Sequence, residues 1–389
     1  MERRVVLFFR DRSKTREESV PVALVEYFGV PVAVRWVSVL KSLGFTSFTI
    51  AAQREILSDV KNLLDDRIDL KVNVEYIPLG QALAVDAELS VEADFLVEPS
   101  ALRRFVEEGY ELGLHAGKIV LEKSVRRTGR SVELDELAEP RHRPACVYAG
   151  DIKATESALV RWAQKGIHIT SILNAPLENA LVKLLGDHKA VTPNRVTLAV
   201  NMLSLPAVLL FIKGWFLPAA LLSYFIGILD GIDGKLARVR GVLTRFGHLE
   251  HSLDALYEQA LYASFALGLA LHGYDLFAAA LGMAFLVVDC FVRHVYNQFA
   301  LTTGRPLKHY APFDRAFALV DGRRNMYLIY VIAFSAVGYP LLALLAAFAH
   351  ASLTAVVYFL RAAQHLRELD AKEGIAQLLR FSASPRRRR

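Results

Sequence analysis

The sequence predicts two architectures in one chain: a mostly parallel α/β domain, followed by an all-α bundle of six transmembrane helices. Three observations carry this. Apolar residues fill 53% of 389 positions, and the mean hydropathy of +0.30 excludes a disordered chain and argues against a wholly soluble one. The excess is uneven, because charges recur regularly up to about His188 whereas Val196 to Leu366 is mostly apolar. The first part also alternates strand-like and helix-like runs, the pattern of a parallel sheet with crossover helices. The reading divides the chain into a cytoplasmic domain (1–165), a linker with a juxtamembrane helix (166–190), a membrane domain (191–366) and a basic tail (367–389).

In the first domain, Val5–Phe9 reads as a strand, Ala33–Leu43 as a helix, Ser47–Ala52 as a strand and 53–64 as a helix. Val72–Pro78 follows as a strand, 80–90 as a helix and Asp94–Val97 as a short apolar strand, with a further helix from Ala101. Met1–Arg4 is charged, but Val5–Phe9 is too short for the apolar core of a signal peptide. The two cysteines, Cys146 and Cys290, give no disulfide framework or metal knuckle. Asn and Gln are scarce beside Arg and Glu, a leaning toward a thermophilic composition.

Apolar stretches at 197–212, 215–233, 252–271, 274–300, 325–338 and 341–362 approach the length that crosses a hydrocarbon core of about 30 Å. The fifth is short, but Gly338-Tyr339-Pro340 makes a turn between two antiparallel spans. Thr192 and Pro193 are a cap and a first helical residue for the first span. Before it, Leu177–Leu185 reads as an amphipathic helix on the membrane surface.

Loop charges set the orientation. Arg238, Arg240 and Arg245 follow the second span, and Arg305, Lys308, Arg315, Arg323 and Arg324 follow the fourth. The opposite links hold only Lys213. Basic loops face the cytoplasm, so both termini are expected there. The net charge of +6 and the Arg386–Arg389 tail fit the anionic cytoplasmic leaflet of a bilayer. No nucleic-acid partner is expected.

The chemistry concentrates in Leu229–Asp254. Asp230 and Asp233 are three apart and share a helix face, which Gly234 and Ala237 continue with almost no side chain. Glu250 and Asp254 are four apart on the next predicted helix. Intramembrane acids mark function by default, and four of them together call for hard divalent cations, Mg²⁺ or Mn²⁺, with phosphate-bearing substrates. Two other readings stay open: the acids pair with Arg238, Arg240 and Arg245, or they form an ion-coupled transport site.

The spacing Asp230-x2-Asp233-Gly234-x2-Ala237-Arg238-x8-Gly247 resembles the signature of the CDP-alcohol phosphotransferase family, as do the Thr192-Pro193-Asn194 entry and the six-helix count. The resemblance covers about residues 185–365. After Gly247 the family has three residues and then Asp. Here two residues precede Glu250, read as a one-residue deletion that leaves Glu250-x3-Asp254 in the acidic roles. The resemblance implies that an acceptor hydroxyl attacks the β-phosphate of a CDP-alcohol and CMP leaves. It also implies two metal ions on Asp230, Asp233, Glu250 and Asp254, with Asp254 taking the acceptor's proton, and a homodimer. Asn194, Gly234 and Ala237 line the cytidine and diphosphate site in this reading, and Arg238 holds phosphate or supports the acids.

Arg305, Lys308, Arg323 and Arg324 form a basic loop suited to an acceptor phosphate, or they only fix topology. Arg293, inside the fourth span, is a candidate for that phosphate or for an acid such as Asp289, one turn away. In the first domain, Gly29-Val30-Pro31, the following helix and Gly44-Phe45 resemble the nucleotidyltransferase pattern. The glycine-rich phosphate loop is missing from Phe9–Lys14, and Glu98 and Asp151 are its only acidic candidates. The expected domain is therefore degenerate and inactive, and the whole resembles archaeal fusions of inositol-phosphate cytidylyltransferase with di-inositol-phosphate phosphate synthase. CDP-inositol and an inositol phosphate are the favoured substrate pair. A CDP-lipid donor for phospholipid head-group synthesis, and an inactive scaffold, remain as alternatives.

Overall fold

A computed structural model describes residues 3–14, 19–66, 72–123, 129–241 and 250–382. Arg245, Gly247, the Arg386–Arg389 tail and the side chains of Glu250 and His251 lie outside the described residues. The chain folds into two compact units. One comprises 1–165, 177–196 and 231–244, and the other 166–176, 197–230 and 245–389.

The first unit is built on β1 (Arg4–Phe9), α1 (Val32–Ser42), β2 (Ser47–Ala52), α2 (Arg54–Asp65), β3 (Asn73–Pro78) and β4 (Leu89–Glu92). After α3 (Pro99–Glu107) come β5 (Leu112–His115), β6 (Lys118–Lys123), β7 (Ser131–Glu133) and α4 (Ile152–Trp162). The sheet order is β7-β5-β6-β4-β1-β2-β3. β1 pairs parallel with β2 and β4, and β6 runs antiparallel to both of its neighbours. The central strands β1 and β2 are buried along nearly their whole length, which is why they read as continuous apolar runs.

One predicted element is wrong. Instead of a helix over 80–90 there is a short 3₁₀ turn at Leu79–Ala84 and then strand β4. Leu89 and Val91 bury against β1 in a two-residue rhythm, and that pairing overrides the helical preference of the Ala-rich segment. The predicted Asp94–Val97 strand is Phe95–Val97, paired with Cys146–Tyr148 outside the main sheet.

α5 (Ile169–Leu185) contains the predicted juxtamembrane helix. Then come α6 (Pro193–Ile212), α7 (Phe216–Arg240), α8 (Glu250–Leu269), α9 (Asp275–Thr303), α10 (Pro312–Phe317), α11 (Arg324–Ala336) and α12 (Pro340–Ser382). Thr192 caps α6, its hydroxyl accepting from Arg195 N at 3.4 Å. Among the described residues, four stretches are long and apolar enough to cross a membrane: Pro193–Ile212, Phe216–Arg240, Ser252–Thr303 and Pro340–Lys372. Ser252–Thr303 contains both α8 and α9, joined across non-helical His272 and Gly273. α11, at 13 residues, falls short of the length.

In the second unit, α9 packs on α8 and α12. A Cβ built on Gly282 would stand 2.1 Å from Ala266 Cβ, so the two backbones meet through small residues, as membrane helices do where no hydrophobic force separates lipid from protein. His272 Nε2 bonds the Ile212 carbonyl at 3.1 Å, and its ring lies against Gly214, which has φ +77 and would bring a Cβ within 2.8 Å of it. One imidazole therefore closes the end of α6 and the α8–α9 kink together.

Candidate active site

Charged side chains alternate through the second unit. Asp230, on α7, accepts from Arg324 Nη2 at 2.9 Å. Arg324 Nη1 reaches Glu258 on α8 at 2.9 Å. Glu258 also takes Arg293 Nη2, and Arg293 Nε bonds Asp289 Oδ2 at 2.9 Å. Three carboxylates thus alternate with two arginines across α7, α8, α9 and α11. Glu258 is only 8% exposed and Asp289 4%, so each charge depends on its neighbours, and deleting one leaves another uncompensated.

Asp230 Oδ1 is buried and has no hydrogen-bond partner among the described residues. An oxygen in that state has an open coordination direction, and an all-carboxylate donor set suits a hard divalent ion. Asp254 lies half-buried on α8, one turn before Glu258. Among the described residues, no three His, Cys, Asp or Glu side chains already form a metal-ready cluster, and Glu250 is outside that set.

The last turns of α7 belong to the first unit. There Asp233 is fully buried, its Oδ1 accepting from Gly234 N at 2.5 Å. Lys235, also buried, bonds Glu178 at 2.9 Å and Asn179 at 2.8 Å. Arg238 Nε donates to the Ala163 carbonyl at 2.7 Å. Arg240 donates to the carbonyls of Val191, Gly186 and His188. Arg238 and Arg240 therefore bond backbone, and the described partner of Asp230 is Arg324. Asn194 is exposed, and Gly234 and Ala237 are half-buried on α7.

The basic loop is anchored by acids that sequence reading passed over. Asp321 is 1% exposed and takes Arg323 Nε at 2.7 Å, Tyr358 Oη at 2.6 Å and Lys308 Nζ at 3.3 Å. Lys308 also sits over the Tyr296 ring, 4.6 Å from its centroid. Asp314 on α10 is held by Arg361 Nε at 2.6 Å and His365 Nε2 at 2.7 Å from α12. Glu258 had a sequence signal, since it continues the 250/254 line by one turn. Asp321, Asp314 and Glu178 had none.

In the first unit the acidic candidates have structural duties. Glu98 caps α3 through Ala101 N at 2.7 Å and pairs with His142 Nδ1 at 3.2 Å. Asp151 caps α4 through Ala154 N at 3.1 Å. Where a phosphate loop would stand, the amides of Arg10 and Asp11 donate instead to Asp94 Oδ2, at 2.7 and 3.0 Å. Burial pushes the Asp94 carboxyl up to about 7, against the pull of those two amides.

Residues 190–351 match the family model for CDP-alcohol phosphatidyltransferase. Over 85 residues the chain is 39% identical to the inner membrane protein YnjF of Escherichia coli (strain K12), covering 21% of this chain and 39% of that protein. Over 332 residues it is 23% identical to the bifunctional IPC transferase and DIPP synthase of Aquifex aeolicus (strain VF5), covering 67% of this chain and 75% of that protein. Phosphatidylinositol phosphate synthase of Mycobacterium tuberculosis with CDP-DAG bound aligns with TM-score 0.37 and 18% identity, over 49% of this chain and 94% of that one. The same enzyme with manganese and citrate gives TM-score 0.39 and 20% identity, over 49% and 88%. The inositol-1-phosphate CTP transferase of T. maritima aligns with TM-score 0.25 and 15% identity, over 32% and 66%.

Proposed function

Because its C-terminal half carries a CDP-alcohol phosphatidyltransferase domain, we propose that this chain moves a substituted phosphate group from a CDP-alcohol to an acceptor hydroxyl, releasing CMP. The observation that carries the reading is Asp230-x2-Asp233-Gly234-x2-Ala237-Arg238, lying on one helix inside the matched region. CDP-inositol as donor and an inositol phosphate as acceptor are favoured by the similarity to the bifunctional IPC transferase and DIPP synthase. The long apolar helices favour a second donor class, a CDP-lipid entering from the bilayer.

In this proposal Asp230, Asp233, Glu250 and Asp254 hold two divalent ions, Mg²⁺ or Mn²⁺. Ions held there would supply positive charge to neutralise the diphosphate and the departing CMP. Asp254 takes the proton of the acceptor hydroxyl as its oxygen bonds the β-phosphorus and the bond to the CMP oxygen breaks. A positioned base of this kind contributes about 10²–10⁴-fold. Gly234 and Ala237 leave room for the nucleotide, with Asn194 beside it, and Arg238 steadies that end of α7. Arg323 and Lys308, with Asp321 setting their geometry, receive an acceptor phosphate. Arg293 and Arg324 bridge the acids and offset their mutual repulsion. The chain acts as a homodimer in the cell membrane, with both termini cytoplasmic.

The test is CMP release by the full chain in detergent with Mg²⁺ or Mn²⁺. CDP-inositol and CDP-lipid donors are each paired with a panel of acceptors. Metal-dependent CMP with one donor supports the reading and selects the donor. No CMP with any pair removes it and leaves an inactive scaffold, whereas solute flux without CMP identifies a transporter.

A further inference from the structure

Three arginines face one small cavity in the first unit. Arg35, Arg238 and Arg240 line it together with Trp36, Trp162 and Ser38, and the rest of the wall is aliphatic residues, proline and glycine. No acidic side chain is among its lining residues. Arg35 is 7% exposed, and its guanidinium donates only to the carbonyls of Tyr27, Val30 and Val239 among the described residues. Burial pushes its pKa down to about 9. Arg240 uses both terminal nitrogens on carbonyls, and its Nε is buried with no hydrogen-bond partner among the described residues. Asp187 is the acid whose field reaches Arg240.

Arg35, buried with its guanidinium held only by neutral carbonyls among the described residues, contributes a positive field that carbonyl dipoles do not cancel. The negative end of the α7 macrodipole offsets about half a charge. The cavity measures about 60 Å³, several times the roughly 10–15 Å³ that one water needs. That admits a single tetrahedral oxyanion and is too small for a nucleoside diphosphate. Guanidinium forks match phosphate oxygens, and indole walls accept an apolar group attached to the phosphate.

We propose that this cavity is a binding site for one phosphate group, separate from the carboxylates of the catalytic reading, with Arg238 the one residue common to both. The phosphate is either free in solution or the headgroup phosphate of an anionic lipid. Both present the same tetrahedral dianion or monoester to the arginines.

The chain has three tryptophans, and two of them line the cavity. A Trp215→Phe background therefore makes the indole fluorescence of the full chain in detergent report on this place alone. Titration runs in divalent-free buffer at fixed ionic strength, with inorganic phosphate in one arm and neutral micelles doped with phosphatidic acid in the other. A saturable fluorescence change with phosphate identifies a free oxyanion. A change with phosphatidic acid only identifies a lipid headgroup. Arg240→Gln is expected to weaken binding about ten-fold or more, the scale of one charge-assisted hydrogen bond. Ser38→Glu places a carboxylate at the cavity wall, and is expected to abolish the response while the protein stays folded. No saturable change in either arm, or an undiminished response in Ser38→Glu, overturns the proposal. CMP release is not a readout here, so its failure leaves this result untouched.

Discussion

Acids in the two units differ in what holds them. In the α/β unit Asp94 takes two backbone amides and Glu98 and Asp151 cap helices, while Glu178 pairs with Lys235. In the helical unit the acids answer to arginines, in the run Asp230, Arg324, Glu258, Arg293, Asp289. Acids bonded to their own backbone are fixed structural parts. Acids chained to arginines depend on those charges, and one oxygen of Asp230 has no hydrogen-bond partner among the described residues. The difference separates acids fixed by backbone amides from acids held by opposite charge.

Removing the proposed proton acceptor sharpens the contrast most. Asp254→Asn should abolish CMP release with little change in thermal stability, and unchanged turnover would sink the assignment. Glu258→Ala breaks the alternating run and strands two arginines. A loss of about 3–5 kcal/mol is expected, as for buried pairs that lose one member. Thermal unfolding of the full chain in detergent measures it, and a loss no larger than that of Asp151→Ala, a helix cap of about 1 kcal/mol, would contradict the distinction between the two units.

Two smaller effects follow from pH in the α/β unit. Asp94 is raised by burial from 3.8 to about 7, so its contribution is full below the unfolded value and disappears as pH rises through about 7. Asp94→Asn retains an acceptor for both amides and removes the charge. It should raise Tm at pH 8 and change it less at pH 5; an equal shift at both values would refute the charge argument. The hydrogen bond that His142 donates to Glu98 raises the imidazole, against its own burial. Glu98 is lowered, because its bonds from His142, Ser100 and Ala101 outweigh its desolvation. The pair is therefore strongest between the two unfolded values, about 4.5 and 6.5. His142→Gln should cost most at pH 5–6 and progressively less toward pH 8, read from the same melting curves.

Much of this was legible in the sequence. Strands β1 and β2 were visible as apolar runs because both faces are covered, and the acids of α7 were visible because carboxylates are rare in apolar surroundings. β5 to β7 escaped because short strands with mixed burial give weak alternation. The 80–90 segment misled because local preference and sheet pairing disagree there. Within the candidate site, motif spacing singles out Asp230, Asp233 and Asp254 as candidates. It missed the link from Asp230 to Arg324, 94 residues away, since no local pattern encodes a partner at that range. Asp314 and Asp321 looked like ordinary loop charges until the fold buried them.

The His272 imidazole closes two interhelical turns at once, those after α6 and after α8. The opposite end of α8 and α9 is fastened as well, by Arg293 on Glu258 and by Gln259 on Asp289 at 2.6 Å, so the pair is tied like a ladder with a rung at each end. A spin-label pair on α8 and α9 should show narrow distance distributions both beside His272 and near Asp254. His272→Ala should broaden the first without altering the charges at the second.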